Sequence, residues 1–170
     1  YRHVGALQTR LPGSIACQVH YPAAQPQQSS LSSFTPYMRP QSVEGMADYS
    51  HTSPSLLQFL GHRPHPCDIN AEPAVVEQKF PLVLFSHGLG GSMEMYTQLC
   101  QQMASYGFVV VAMEHEDGSA AYAETPLGNP IPYQRPDDTP YSRTKVVNFR
   151  RAFLQQRVQE TQDVLEALLL

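Results

Sequence analysis

The sequence predicts an α/β fold with a mostly parallel sheet and flanking helices. Two continuous apolar runs, residues 80–85 and 108–113, have the pattern of strands that are covered on both faces. Between them a glycine-rich turn, residues 87–91, precedes apolar residues at helical spacing. This order forms a right-handed βαβ unit, so we expect a parallel core from about residue 80, with two adjacent strands and the first of them central.

Length and charge limit the class of protein. A chain of 170 residues suits one domain. We interpret residues 1–170 as the amino-terminal part of that domain, because a helical pattern still runs at the last residue. The net charge of -4 and the lack of a basic stripe argue against nucleic-acid binding. No apolar segment approaches the ~20 residues that a transmembrane span needs.

The three cysteines are far apart in the sequence. Cys17, Cys67 and Cys100 suit unpaired thiols better than a disulfide framework. This pattern leaves the compartment unknown, with a cytoplasmic location slightly favoured and secretion still open.

The amino-terminal half contains one clear strand pattern. Residues 15–21 alternate apolar and polar side chains as a half-buried strand does, and Pro22 ends the pattern. From 22 to 79 no period lasts long, and we interpret this region as an irregular excursion rather than a linker. Its one helical pattern contains Leu56, Leu57, Phe59 and Leu60. These residues would either cap the sheet or form an exposed apolar surface.

The helix between the two apolar runs is predicted at about residues 93–106. Ser92 is its expected N-cap, and Glu94 lies in the expected first turn. Gly107 is the expected residue just beyond the last turn, where a left-handed conformation favours glycine.

The carboxyl-terminal part divides into a loop and a helix. Residues 114–142 are polar and rich in proline, which predicts a loop at the carboxyl ends of the strands. From Val146 to Leu168 a largely apolar stripe recurs at i, i+3 and i+4, which predicts a long amphipathic helix. Such a helix must bury its stripe against a sheet, and in this type of fold another parallel strand should follow it.

The turn His87-Gly88-Leu89-Gly90-Gly91 lies at the carboxyl end of a strand, where open α/β sheets bind ligands. Glycines let backbone N–H groups approach a ligand, and the field before a helix suits an anion such as a developing oxyanion. The glycines could equally serve only to tighten the turn. Dinucleotide binding is the weaker alternative, because no third glycine completes the fingerprint.

Other side chains with reactive groups receive structural interpretations. Glu114 is expected to accept backbone N–H groups at the end of its strand, and Ser86 to be a small packing residue. Four residues of zinc-ligand type stand close together, His62, His65, Cys67 and Asp68. Their spacing matches no closed motif, so we predict no metal and no cofactor.

Three blocks in order, residues 80–90, 104–110 and 114–120, resemble the platelet-activating-factor acetylhydrolase family of α/β-hydrolases. The resemblance extends more faintly to residues 37–49 and 143–165. It implies an α/β-hydrolase-type fold and a serine esterase that removes short or oxidised acyl groups from the sn-2 position of phospholipids, without calcium. The implied partners are a phospholipid substrate and a membrane or lipoprotein surface, on which Leu56, Leu57, Phe59 and Leu60 would rest.

On this sequence the resemblance implies that the backbone N–H of Leu89 is half of an oxyanion hole. His87, Gly88 and Gly90 would then lie beside the substrate. The second N–H and the triad of serine, aspartate and histidine would follow the next strand, beyond residue 170. The chain would therefore be truncated before the nucleophile elbow and would be inactive by itself.

Residues within the chain do not supply that triad. Ser92 lies in the nearest approach to an elbow, Gly90 to Glu94, but this segment lacks the final glycine. His115 and Asp117 precede any nucleophile in the family's order, which favours a structural or pocket-wall role. Two alternatives stay open: another carboxylesterase or dienelactone-hydrolase-like enzyme whose acyl pocket residues 118–142 build, and a non-catalytic lipid-binding or interaction module.

Overall fold

The computed structural model of the chain describes residues 1, 3–24, 34–77, 79–136 and 142–169. Parts of the predicted excursion and of the predicted proline-rich loop, and the last residue, lie outside the described residues. The elements are β1 (Val4–Arg10), β2 (Ala16–Pro22), α1 (Pro40–Ser50), a 3₁₀ turn (Pro54–Leu56), α2 (Gln58–His62), β3 (Asp68–Ile69), β4 (Leu82–Ser86), α3 (Thr97–Ser105), β5 (Val109–Met113), β6 (Tyr122–Glu124), β7 (Pro130–Pro132) and α4 (Arg143–Leu169).

Five strands form a mixed sheet in the order β3-β1-β2-β5-β4. The prediction that the two apolar runs pair in parallel is confirmed, with Leu84 of β4 opposite Val111 of β5. β2 is antiparallel to β1 and to β5. Within the described residues β4 is the end strand, so the expected central position is wrong there. A continuous apolar run reports that both faces of a strand are covered, and it carries no information about its edges.

Helices cover both faces of the sheet. Along β5, Val110 and Ala112 pack with Cys100 of α3, whereas Val111 and Met113 pack with Val164 of α4. This alternation follows from the period of two in a strand. The fold is therefore an α/β sandwich of helix, sheet and helix, as the sequence predicts.

The predicted helix at residues 93–106 forms only over α3. Ser92 caps the turn ahead of the helix instead, since its Oγ accepts the N–H of Met95 at 3.3 Å. Gly107 has a φ of +94° directly after the last turn of α3, as its expected role requires. The helix thus ends where the sequence predicts and begins about one turn later.

The excursion contains a helix that the sequence analysis missed. α1 begins at Pro40, a favourable residue for a first turn, and buries Val43 and Ala47. Gly45 lies so close to the segment after β5 that an added Cβ would stand 2.4 Å from the Ala121 carbonyl oxygen. α1 therefore packs against the start of β6, in the segment that follows the two parallel strands.

The predicted proline-rich loop contains a small hairpin. β6 and β7 pair as an antiparallel two-stranded sheet, with Ala123 opposite Ile131. The prolines at both ends of β7 do not prevent this, because proline is tolerated in a short edge strand. The loop interpretation is wrong at these two strands.

α4 buries only part of its apolar stripe. Val164 is buried in the core beneath the sheet, and Leu168 packs beside it. Five large apolar side chains of α4 are exposed in the described part of the chain: Val147, Leu154, Val158, Leu165 and Leu169. The sheet ends at β4, so it reaches only one flank of this helix.

The cysteines lie in apolar surroundings. All three are free and buried. Burial raises the pKa of Cys17 and of Cys67 to about 12 and that of Cys100 to about 11, so the thiols stay protonated at neutral pH. Among the described residues no helix has the length and apolar character that crossing a membrane requires.

We expect Val164→Ala to lower the free energy of unfolding by about 2 kcal/mol, because it removes two methyl groups from a filled core. Gln155→Ala is the control, since Val164 is 0% exposed whereas Gln155 is exposed on the opposite face of the same helix. The control should be neutral or slightly stabilising, because alanine has the higher helix propensity. Urea unfolding of both variants measures the difference, and equal effects would contradict the packing of α4 on the sheet.

Candidate active site

The glycine turn after β4 is held by backbone hydrogen bonds. The Gly90 N–H donates to the Ser119 carbonyl at 2.8 Å, and the Gly91 N–H donates to the Gly88 carbonyl at 3.0 Å. Gly90 has a φ of +70°, and a Cβ on it would lie 2.2 Å from the ring of Tyr49. Only glycine meets both conditions without strain.

The Leu89 N–H is left without a hydrogen-bond partner within the described residues. The carbonyl of the same peptide unit, that of Gly88, accepts from Gly91 N–H at 3.0 Å and from His87 Nδ1 at 2.8 Å. In a trans peptide the N–H points opposite to the carbonyl. Because the carbonyl is held inside the turn, the Leu89 N–H is directed out of it and can donate to a ligand.

His87 braces this peptide unit. The ring is buried, its Nδ1 donates to the Gly88 carbonyl, and its Nε2 accepts the backbone N–H of His115 at 3.3 Å. This pattern requires a neutral ring with the proton on Nδ1. Burial lowers the pKa of His87 to about 4, so the ring keeps one donor and one acceptor at neutral pH.

Arg39, just ahead of α1, lies between two buried carboxylates. Its Nε donates to Glu94 at 2.8 Å, and a terminal nitrogen donates to Glu114 at 3.1 Å. Glu114 also accepts the Met93 N–H at 3.3 Å, so it receives a backbone N–H as the sequence predicts. Burial raises the pKa of Glu114 well above its usual value, and the nearby Glu94 adds to the shift while Arg39 opposes it. One cation thus joins α1 to the turn after the glycines and to the end of β5.

Three side chains form a relay in the donor and acceptor order of a catalytic triad. Ser86 Oγ lies 2.8 Å from His115 Nε2, and His115 Nδ1 lies 2.7 Å from Glu160 on α4. Glu160 also accepts the Glu116 N–H at 3.1 Å. The relay therefore connects β4, the segment after β5 and α4.

The position of Ser86 favours a structural role for this relay. Ser86 follows Leu84 by two residues and so shares the face of β4 that packs with α4. A nucleophile elbow instead presents its serine on a sharp turn beyond the end of a strand. The predicted packing role of Ser86 is wrong, because Ser86 is exposed at the end of β4. Its hydroxyl is instead held by His115 on the face of the sheet that α4 covers.

Asp117 belongs to a second polar network. It accepts the Ser119 N–H at 2.9 Å and a hydrogen bond from Arg157 Nε at 3.0 Å. Burial opposes its ionisation, but these hydrogen bonds outweigh the burial and hold the pKa of Asp117 below its usual value. His115 and Asp117 thus both serve in structural networks, in line with the predicted role.

The apolar cluster at residues 56–60 is divided. Leu57 and Leu60 pack against Tyr37, Met38 and Val43, whereas Leu56 and Phe59 are exposed by 67% and 60%. The expected cap on the sheet is wrong, because Leu57 and Leu60 pack with α1 and the residues just ahead of it. Only Leu56 and Phe59 form an exposed apolar surface.

The four candidate zinc ligands are not assembled. His65 lies 2.7 Å from Gln18 Nε2, and its Nδ1 accepts the Cys67 N–H at 3.2 Å. In the part of the chain that the structure describes, no three histidine, cysteine, aspartate or glutamate side chains are placed to hold a metal ion.

Four site residues escaped the sequence analysis: Arg39, Tyr49, Arg157 and Glu160. The first two lie at α1, where the only signal was the faint resemblance of residues 37–49. Arg157 lies within the predicted apolar stripe of α4, which runs from Val146 to Leu168. An arginine on an otherwise apolar face is a sign of a buried acidic partner, and this could have indicated the contact with Asp117.

A known protein family matches this chain over nearly its whole length. The family described as platelet-activating factor acetylhydrolase, isoform II, matches residues 7–170. A protein of Schizosaccharomyces pombe named putative phospholipase A2 is 44% identical over 72 residues, which are 42% of this chain and 14% of that protein. The platelet-activating factor acetylhydrolase of Canis lupus familiaris is 43% identical over 63 residues, 37% of this chain and 14% of that enzyme.

A solved structure shows the same fold. The ferulic acid esterase of Streptomyces cinnamoneus superposes with a TM-score of 0.60 at 24% identity, over 91% of this chain and 45% of the esterase chain. The aligned segments thus span well under two thirds of these known proteins. The family match nevertheless extends over nearly the whole sequence, and the chain therefore belongs to the platelet-activating factor acetylhydrolase, isoform II, family.

Proposed function

We propose that this chain is the amino-terminal part of a serine esterase that hydrolyses the sn-2 acetyl or short acyl ester of a phospholipid. The observation that carries the proposal is the unpartnered Leu89 N–H, directed out of a braced turn at the carboxyl ends of parallel strands. Membership of the family and the similarity to a putative phospholipase A2 and to an acetylhydrolase support the substrate class.

In the proposed mechanism a histidine takes the proton of a serine, which attacks the ester carbonyl, while the Leu89 N–H stabilises the oxygen as it becomes negative. A second N–H, that of the residue after the serine, completes the hole. The bond to the sn-2 oxygen then breaks, and the histidine gives its proton to the departing lysophospholipid. Water deprotonated by the histidine finally cleaves the acyl-serine, which releases the short acid and the free serine. The serine, aspartate and histidine would follow a strand that pairs with the open edge of β4. Such a strand would bring the elbow beside the glycine turn and supply the partner that the exposed flank of α4 lacks.

The direct test measures acetate released by the complete protein from a phospholipid with an sn-2 acetyl group, with and without a serine-directed phosphonate. We expect hydrolysis that the phosphonate abolishes, and slower hydrolysis of long-chain esters. Labelling with the phosphonate should modify a serine beyond residue 170. Modification of Ser86 instead would show that the relay with His115 is the catalytic one, and phosphonate-resistant hydrolysis would contradict a serine esterase.

The role of the Leu89 N–H is tested by two substitutions at one position in the complete protein. Leu89→Pro removes the N–H, and we expect kcat to fall by about 10²- to 10³-fold with little change in KM, as for loss of one oxyanion donor. Leu89→Ala keeps the N–H and removes only a half-exposed side chain, so its kcat should stay near the original. Thermal melting of both variants controls for folding, and equal kcat values would contradict the assignment.

We also propose that Leu56 and Phe59 contact the lipid surface, because both are large, apolar and exposed next to a packed pair. Leu56→Ser with Phe59→Ser should weaken binding to phosphatidylcholine vesicles by about tenfold or more, through lost apolar burial. Hydrolysis of a monomeric soluble ester should not change.

Leu127→Ser is the control for the lipid prediction, since Leu127 is 88% exposed on the β6–β7 hairpin. Cosedimentation with vesicles measures the binding. Equal losses in the control and in the double variant would indicate a nonspecific effect of surface apolarity.

A further inference from the structure

Arg157 of α4 makes hydrogen bonds with each part of its guanidinium group. Its Nε donates to Asp117 at 3.0 Å, and one terminal nitrogen donates to Ser119 Oγ at 2.6 Å. The other terminal nitrogen donates to the His87 carbonyl and lies 3.3 Å from Ser86 Oγ. The side chain is 16% exposed, so these bonds are made largely away from water. Arg157 thus connects α4 both to the glycine turn and to the segment after β5.

Hydrogen bonds hold three successive peptide units of the turn. Arg157 holds the carbonyl of the first unit, that of His87. The second unit has its carbonyl braced by the His87 ring, and its N–H is the unpartnered one of Leu89. The third unit donates its Gly90 N–H to the carbonyl of Ser119.

Arg157 also fixes the residue that holds the third unit. The Ser119 hydroxyl accepts from Arg157 and donates to Asp117, and Asp117 in turn accepts from Arg157. The unit on each side of the Leu89 N–H is therefore held, directly or through Ser119, by one side chain of α4. The direction of that N–H depends on both flanking units, because neighbouring peptide planes turn about shared Cα atoms.

We propose that Arg157 is a positioning residue of the oxyanion hole, which fixes the direction of the Leu89 N–H without touching the substrate. This inference rests on the proposed function. An oxyanion donor is effective only at about 2.7–3.1 Å from the developing charge. A displacement of about 1 Å can cost on the order of 10²-fold in rate, so the loss of Arg157 should act on kcat.

The shape of the side chain matters as well as its charge. Arginine offers five donors in a planar fork, whereas lysine offers a single charged point. A lysine at this position could reach one of the acceptors, the Asp117 carboxylate or the His87 carbonyl, but not all of them together. Arg157→Lys should therefore keep a larger part of the original kcat than Arg157→Gln.

Arg157→Gln alone would leave the Asp117 carboxylate buried without its cation, which destabilises a fold. The variant for the test is therefore Arg157→Gln combined with Asp117→Asn, which removes both charges together. Arg151→Gln is the matched control, because Arg151 lies on α4 with an exposed side chain.

The experiment uses the complete protein. It measures kcat and KM on an acetyl phospholipid, the rate of phosphonate labelling, the melting temperature, and amide hydrogen exchange in the peptide that spans residues 87–91. In the double variant we expect kcat and the labelling rate to fall by about 10- to 100-fold, with KM within about twofold and faster exchange in this peptide. The kcat and the labelling rate of Arg157→Lys should lie between those of the double variant and those of the original protein. Arg151→Gln should match the original protein in both.

Three results would overturn the inference, and they are distinguishable. An active original protein whose double variant melts normally and keeps its kcat would overturn the role of Arg157 alone. A well-folded original protein without hydrolysis of any acetyl ester would overturn the proposed function and the positioning role with it. A fall in rate explained by KM alone would also contradict positioning, since it would indicate lost substrate binding.

Discussion

The peptide unit between Gly88 and Leu89 is the constraint on which the site depends. Its carbonyl is held inside the turn by the His87 ring and by the Gly91 N–H, and this leaves the Leu89 N–H directed outward. The left-handed conformation of Gly90 and the nearby ring of Tyr49 leave no room for a side chain at residue 90. Rigid backbone donors of this kind stabilise a developing charge without reorganising during the reaction.

Buried charges connect distant parts of the sequence to this turn. Arg39, ahead of α1, joins Glu94 and Glu114, and Arg157 of α4 joins Asp117. A buried ion is costly unless it is paired and hydrogen-bonded, so each arginine has few alternative positions. The two groups thereby fix how both helices sit at the carboxyl ends of β4 and β5. A buried ion pair adds little net stability, so the main effect of these groups is to hold the two helices in place beside the site.

The edge of β4 and one flank of α4 are left uncovered within the described residues. β4 is an end strand, and the exposed stripe of α4 includes Leu154, Val158 and Leu165. Exposed strand edges and contiguous apolar patches promote association, and proteins usually cover them. In the proposed complete enzyme, the strand before the nucleophile elbow and its helix would cover both features.

The sequence by itself determined the βαβ unit, the end of α3 at Gly107 and the long last helix, because periodicity and glycine conformation are local properties. It also predicted the glycine turn as a binding site and, through a family resemblance, the Leu89 N–H as an oxyanion donor, and this role stays a prediction. It did not reveal α1, the β6–β7 hairpin or the start of α3, where weak local patterns are decided by packing. Only the tertiary structure brought Arg39, Tyr49 and Arg157 to the turn, since the pairing of buried charges joins residues that lie far apart in the chain.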